Sequence, residues 1–155
     1  GSFNFSISPN TNSFREFPNK LKELGIKKND KIAMYCTGGI RCEKASSFLK
    51  SRGFAKVFQL EGGILNYLEH HKKKPKNAWQ GECFVFDKRV TVNRKLNQGK
   101  YIQCYGCRMP ITKIMTHSYK YKKGVHCPLC FSNRTERQKA NSLMRQKQIE
   151  FRKFN

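Results

Sequence analysis

Short apolar runs alternate with polar stretches along the chain, and the spacing changes character near residue 71. "GSFNFSISPNTNSFREFP" opens with a brief alternating apolar piece and passes into loop-like residues, so no strong opening strand is expected. Pro18 stands at the start of "NKLKELG" and Gly25 at its end, the order that suits a short helix. "KIAMYC" (31–36) is an apolar run of strand length, and "KVFQL" (56–60) is a second. Between them Ala45, Phe48 and Leu49 recur at helical spacing. They predict a helix over 42–52, closed by Gly53 in the C′ position. "EGG" (61–63) reads as a turn and "ILNYLEHH" as a short helix, with His70 and His71 at a solvated end. Strand, helix, strand, helix at this spacing predicts a parallel α/β sheet.

Beyond this point the pattern breaks. "HKKKPKN" (71–77) is a charged, proline-containing linker, and "ECFVFDKRVTV" (82–92) reads as a short strand pair or extended arm. Residues 101–131 are rich in Cys, Gly, Pro and Tyr and carry no helical period. From Thr135 the composition turns helical, and Thr135 with Gln138 has the spacing of a capping box. The apolar stripe of that helix, Ala140, Leu143, Met144 and Phe151, is weak, which predicts order only on RNA or against the missing part of the protein. The expected organisation is an α/β portion (1–71), a linker and arm (72–100), a cysteine module (101–133) and a basic helical tail (134–155).

Composition sharpens this picture in two ways. With 155 residues and 37% hydrophobic content, the chain can build one domain or one and a half, with a modest core. Charge is lopsided: residues 1–71 hold 11 basic and 6 acidic side chains, and residues 72–155 hold 21 and 4, so the net rises from +5 to +17. A field of that sign and asymmetry suits a polyanion. No run approaches the roughly 18–20 apolar residues of a membrane span, and no signal peptide is visible, so no membrane partner is expected. The seven cysteines are odd in number, and four fall in two CxxC pairs. This suits a reducing cytoplasm, a metal site and a reactive thiol better than a disulfide framework.

The first chemical candidate is "YCTGGIRCEKAS" (35–46). Cys36 would sit at the carboxyl end of a strand and just before a helix, where open α/β sheets bind ligands. Gly38 and Gly39 let the backbone curl so that several N–H groups face one point. Those dipoles, the helix N-terminus and the Arg41 charge would hold Cys36 as a thiolate, with Thr37, Gly38, Gly39, Ile40 and Arg41 as the cradle. A terminal persulfide sulfur, also anionic, would fit the same place. The second candidate is Cys104-x2-Cys107 with Cys127-x2-Cys130, separated by 19 residues. Two such knuckles complete a tetrahedral site of four thiolates, zinc by default and rubredoxin-like iron as the rival. The glycine expected after each pair is absent, Arg108 and Phe131 standing there instead. His117 and His126 find no vacancy beside four thiolates and read as exposed or RNA-facing. The third candidate is a set of cations interleaved with aromatics: Arg108, Lys120, Lys122, Lys123, Arg134, Arg137 and Arg145 among Tyr119, Tyr121, Phe151 and Phe154.

"YCTGGIRCEKAS" followed by "VFQLEGGILNYL" resembles the active-site loop and following strand, turn and helix of a rhodanese domain. The four-residue spacer between Cys36 and Arg41 is similar to the sulfurtransferase form, one residue shorter than in phosphatases of the Cdc25 type. "CTGGIRCEKAS", "QLEGGI", "GECFVFDKRV" and "C-x2-CR-x-P…Y-x3-GVHCPLC" in that order resemble the rhodanese-type tRNA uridine hydroxylases. That resemblance implies an incomplete rhodanese-like parallel sheet, because the family's N-terminal α/β domain and opening strands would precede Gly1. It further implies a structural zinc module and a basic C-terminal helix. It implies tRNA as partner, molecular oxygen as substrate, 5-hydroxyuridine at the wobble position as product, and Cys36 as the persulfide-forming residue. Zinc is redox-silent, so the oxygen chemistry would not come from the four-cysteine site. Neither a 2-His-1-carboxylate set nor a flavin fingerprint is visible, and no organic cofactor is expected. A thiosulfate-type sulfurtransferase and a non-enzymatic RNA-binding protein on a rhodanese scaffold are the alternatives.

Overall fold

The computed structural model describes residues 1–11, 13–73 and 78–154, the side chains of 153 and 154 excepted. It is a mixed α/β structure in two compact units. One comprises Gly1–Cys83 with Asn93–Asn97, and the other comprises Phe84–Val92 with the residues from Gln98 onward. Of the segment read as linker and arm, 78–83 and 93–97 therefore group with the first unit and 84–92 with the second. Residues 74–77 of the charged linker lie outside the described residues.

In the first unit, β1 (Ser2–Phe3) is only two residues long, as the weak opening pattern implies. Helix α1 (Phe17–Glu23) starts with Pro18 in its first turn, and Gly25 follows with φ +67. β2 (Ile32–Met34) leads into α2 (Ile40–Ser51), β3 (Val57–Gln59) and α3 (Gly63–His71). β2 and β3 pair in parallel with Ile32 opposite Val57 and Met34 opposite Gln59. β1 instead pairs antiparallel with β4 (Trp79–Gln80), placing Phe3 opposite Trp79. Two apolar groups among the described residues contribute to its packing. Leu21, Leu49 and Val57 pack with Phe17, Ile26, Ile32, Met34, Phe48 and Phe54. The ring of Phe3 is met edge-on by Tyr35, Tyr67 and Trp79 at centroid distances of 5.0, 4.9 and 5.3 Å. Helix α2 buries Cys42, Ala45 and Leu49, the one-sided pattern that its spacing predicts, with Gly53 at φ +84 beyond its end.

The second unit contains a turn in which Val85 N–H donates to Val90 O at 2.9 Å and Arg89 N–H donates to Asp87 Oδ1 at 2.9 Å. The two flanking segments read from sequence as a strand pair are β5 (Cys83–Phe84) and β6 (Thr91–Val92). β7 (Ile102–Gln103) and β8 (Pro110–Ile111) form an antiparallel ribbon around the first CxxC pair. A 3-10 turn over Ile114–His117 and the second CxxC pair follow, then α4 (Glu136–Phe154). At its start Thr135 N–H donates to Gln138 Oε1 at 3.1 Å and Gln138 N–H donates to Thr135 Oγ1 at 3.2 Å, the reciprocal capping box. Docking of α4 departs from the expected apolar stripe. Ala140, Met144 and Phe151 are exposed, while Ser142 is buried. The Arg134 guanidinium, just before the helix, holds Gly106 O at 2.5 Å, Gln138 O at 3.0 Å and Ser142 Oγ at 2.6 Å. Arg145 reaches Tyr105 O at 3.0 Å, and Lys139 lies over the Phe131 ring at 4.6 Å. Polar bonds and a cation–π contact thus seat the helix where its apolar residues do not. Among the described residues, no helix is long and apolar enough to cross a membrane.

Candidate functional site

β2 ends at Met34, so Tyr35 and Cys36 emerge at its carboxyl end, and α2 begins four residues after Cys36. Gly39 makes the turn with φ +88, which a side chain would resist. Its N–H points at the Cys36 sulfur at 3.1 Å. The loop is also held from outside. In α3 the first N–H groups have no intrahelical acceptor. Ile64 N–H donates to Cys36 O at 2.9 Å and Leu65 N–H to Thr37 O at 3.1 Å. Gly63 permits this approach: at φ +66, an added Cβ would stand 2.5 Å from Cys36 O and 2.6 Å from Gly39 N. "EGG" is a turn, as its composition predicts, and it is also the clamp of the thiol loop.

Carbonyls drawn outward leave N–H groups turned inward. Burial pushes the half-buried Cys36 thiol up, but the Cys42 N–H, the Cys42 thiol and the N–H groups of Arg41 and Gly39 outweigh it. The net position is below the ordinary thiol value. The Arg41 guanidinium donates from Nη2 to Thr37 Oγ1 at 3.3 Å, its charge bears on Cys42 and Cys83, and its backbone N–H acts on Cys36. Gly38 and Ile40 are exposed, the latter at 77%. Cys42 is buried, and burial together with the neighbouring Cys36 pushes it up to about 12. Burial also raises Cys83, against a lowering bond with Thr37. The geometry therefore separates three thiols into one activated and two suppressed. Cys42 as a donor to Cys36 is a role that the sequence reading missed. The i, i+6 placement across a helix start was its only signal.

The second unit gathers the other four cysteines. The sulfurs of Cys104, Cys107, Cys127 and Cys130 all lie within 4.8 Å of one another. Tetrahedral zinc with Zn–S near 2.3 Å needs sulfurs about 3.8 Å apart. Cys127 and Cys130 stand at 3.8 Å, Cys107 and Cys127 at 3.9 Å. The residues fit a metal ion. Each knuckle aims backbone N–H groups at its sulfurs: those of Cys107 and Gly106 hold Cys104 below the ordinary thiol value against burial, and Cys127 N–H donates to Cys130 Sγ at 3.3 Å. Burial, together with the neighbouring Cys104, pushes Cys107 up to about 12 and raises Cys127. Arg108, in the place of the expected glycine, adopts the glycine conformation nonetheless, with φ +63. Its N–H closes on Cys104 O at 2.6 Å. A Cβ at Gly106 would run into the Val125 carbonyl, so the two knuckles approach as closely as backbone allows. Ile111 is fully buried against Cys104, Cys127 and Cys130.

Two histidine expectations are corrected. His126 is buried, not exposed: the chain folds back at Lys122, and its Nδ1 lies 2.9 Å from Lys120 O with the ring edge-on to Phe131. His71 is half-buried, stacked on Tyr67 at 4.0 Å, whereas His70 and His117 are exposed. The predicted cationic set divides in two. Arg108, Lys122, Lys123 and Arg137 present exposed side chains, and Lys120 lies 5.5 Å from the centroid of the 84% exposed Tyr119. Arg134 is engaged internally, and Arg145 spends one amino group on Tyr105 O.

Residues 1–70 match the family described as the rhodanese-like domain. A rhodanese-like domain is thus present in the first unit, and Cys36 with its N–H cradle lies inside the matched span.

Proposed function

We propose that the protein is a tRNA-modifying enzyme that hydroxylates the wobble uridine to 5-hydroxyuridine, with dioxygen as oxidant and Cys36 as its reactive sulfur. The observation that carries the reading is the thiol of Cys36 held below its ordinary value by inward-facing N–H groups in a rhodanese-like domain. The same chain carries a four-cysteine metal module and a C-terminal half of net +17, a combination that suits a structured RNA. The resemblance of the ordered motifs to rhodanese-type tRNA uridine hydroxylases supplies the reaction. When bound, zinc would supply a structural cross-link between the two knuckles and no redox chemistry. This chain's own residues orient: Gly63, Ile64 and Leu65 fix the loop, and the N–H groups of Gly39, Arg41 and Cys42 keep a negative sulfur in place. The test is nucleoside mass spectrometry of tRNA from cells lacking the full-length protein. Loss of 5-hydroxyuridine, restored by the wild type and not by Cys36→Ser, is expected. An unchanged nucleoside profile would overturn the proposal.

A sulfurtransferase reading is favoured by one specific feature. The same N–H groups would hold the outer sulfur of a Cys36 persulfide, which is as anionic as a thiolate. Thiosulfate turnover onto a small thiol acceptor, without RNA and without dependence on the basic residues, would distinguish it.

A further inference from the structure

Tyr119 and Tyr121 flank Lys120 on one turn, and their rings meet opposite surroundings. Tyr121 is half-buried against the four-cysteine cluster, whereas Tyr119 is 84% exposed. The turn between them is closed by Tyr121 N–H on Ser118 O at 2.8 Å and by Lys120 N–H on Ser118 Oγ at 3.2 Å. Lys120 O lies 2.9 Å from Nδ1 of the buried His126, the residue before Cys127. Phe131, the residue after Cys130, donates its N–H to Cys127 O at 2.9 Å. Its ring stands edge-on to His126 at 5.0 Å and to Tyr119 at 6.4 Å. The second knuckle is thus a mount, and Tyr119 is the ring it carries outward. Lys120 Nζ stands over one face of that ring, 5.5 Å from the centroid. With so much of the residue exposed, the other face is open. Lys122 and Lys123 follow with exposed side chains, and among the described residues no carboxylate pairs with any of these three lysines.

We propose that Tyr119 is a stacking platform for an unpaired RNA base, with Lys120, Lys122 and Lys123 on the adjoining phosphates. The inference deepens the reading of the basic half as an RNA grip and rests on it. An exposed aromatic ring alone is common on protein surfaces. This one is braced by a metal knuckle and stands among cations that have no anion of their own. A nucleotide joins a flat π surface to an anion, so one ligand satisfies both the ring and the lysines. A base inside a duplex is already stacked and has no face to give, so the ligand is a single strand or a loop. An anionic lipid headgroup or a sulfated sugar would satisfy the lysines and leave the ring unused. Stacking tolerates any base, so the site supplies grip at an unpaired nucleotide and no choice of sequence.

The metal-loaded chain is titrated with two RNAs, a hairpin with an unpaired loop and a blunt duplex of the same composition. Tyr119→Ala is expected to weaken hairpin binding by roughly 5- to 150-fold, the range for loss of one stacked base, with duplex binding and the salt slope unchanged. Tyr119→Phe should keep the wild-type affinity, since the ring stacks and the hydroxyl does not. Lys120→Ala should instead flatten the log–log salt slope on the loop by about 0.7. Tyr119→Trp adds a direct readout, because Trp79, the one native tryptophan, is buried. Its emission should be quenched by the hairpin and not by heparin, a polyanion without bases. Equal hairpin affinities of wild type and Tyr119→Ala, or equal losses on both RNAs, would overturn the inference and leave the RNA grip standing. Quenching by heparin as strong as by the hairpin would do the same. Binding of wild type to neither RNA, with binding to vesicles of anionic phospholipid in their place, would remove the grip and the inference with it.

Discussion

A thiol becomes a nucleophile when its anion is solvated by something other than water, and at Cys36 the solvent is the backbone. Its alkylation rate should rise with pH and level off below the ordinary cysteine range near 8.5, since a lowered value means that thiolate persists at lower pH. Mass-resolved iodoacetamide labelling of the folded, metal-loaded protein checks this: Cys36 should label first, with Cys42 and Cys83 silent until denaturation. Cys42→Ala removes one of the donors and should move the midpoint upward, though not to the free-thiol value, because three N–H groups remain. Gly63→Ala is expected to be harsher than its size suggests. It combines a left-handed φ with a Cβ driven into the Cys36 carbonyl, so a loss of about 1–3 kcal/mol in denaturant titration should accompany slower labelling of Cys36.

The elements of the first unit were largely legible from spacing, because α1, α2, β2, β3 and α3 are set by local patterns: Pro18 before Gly25, Ala45 and Leu49 on one face, Gly53 at the end. The capping box of α4 was legible for the same reason. What could not be read were contacts between residues remote in sequence. Nothing near Arg134 announces that it will hold Gly106 O, 28 positions away, nor does "EGG" announce that it abuts Cys36. Arg108 shows the limit of a composition rule, since a closed knuckle imposed φ +63 on a residue that disfavours it. At this scale the metal module and α4 make two predictions. Chelation should unfold residues 101–133, because four thiols and a few apolar neighbours give a small core; elemental analysis should find one metal per chain, absent from the Cys104→Ser, Cys127→Ser double variant. Arg134→Ala should strip the bonds to Gly106, Gln138 and Ser142, cost about 1–3 kcal/mol and expose α4 to limited proteolysis.

Across the whole molecule, charge is the governing quantity, +22 in all and concentrated after residue 71. If RNA phosphates are its counterions, tRNA affinity must fall steeply with salt. The set Lys122→Ala, Lys123→Ala, Arg137→Ala removes three exposed cations without touching Arg134. It should weaken binding and flatten the log–log salt slope by about 2–3, at roughly 0.7–0.9 for each phosphate no longer neutralised. Cys36→Ser should leave that slope unchanged. A slope identical to that of the wild type in the triple variant would assign those cations to solvent.

Amides in the first turn of a helix usually exchange with solvent quickly, for want of an acceptor one turn back. The amides of Ile64 and Leu65 are an exception here, their hydrogens shielded by Cys36 O and Thr37 O. Deuterium uptake at these two positions therefore times how often the thiol loop lets go of α3. That clock runs without any label on the sulfur, and it should slow when an anion fills the loop.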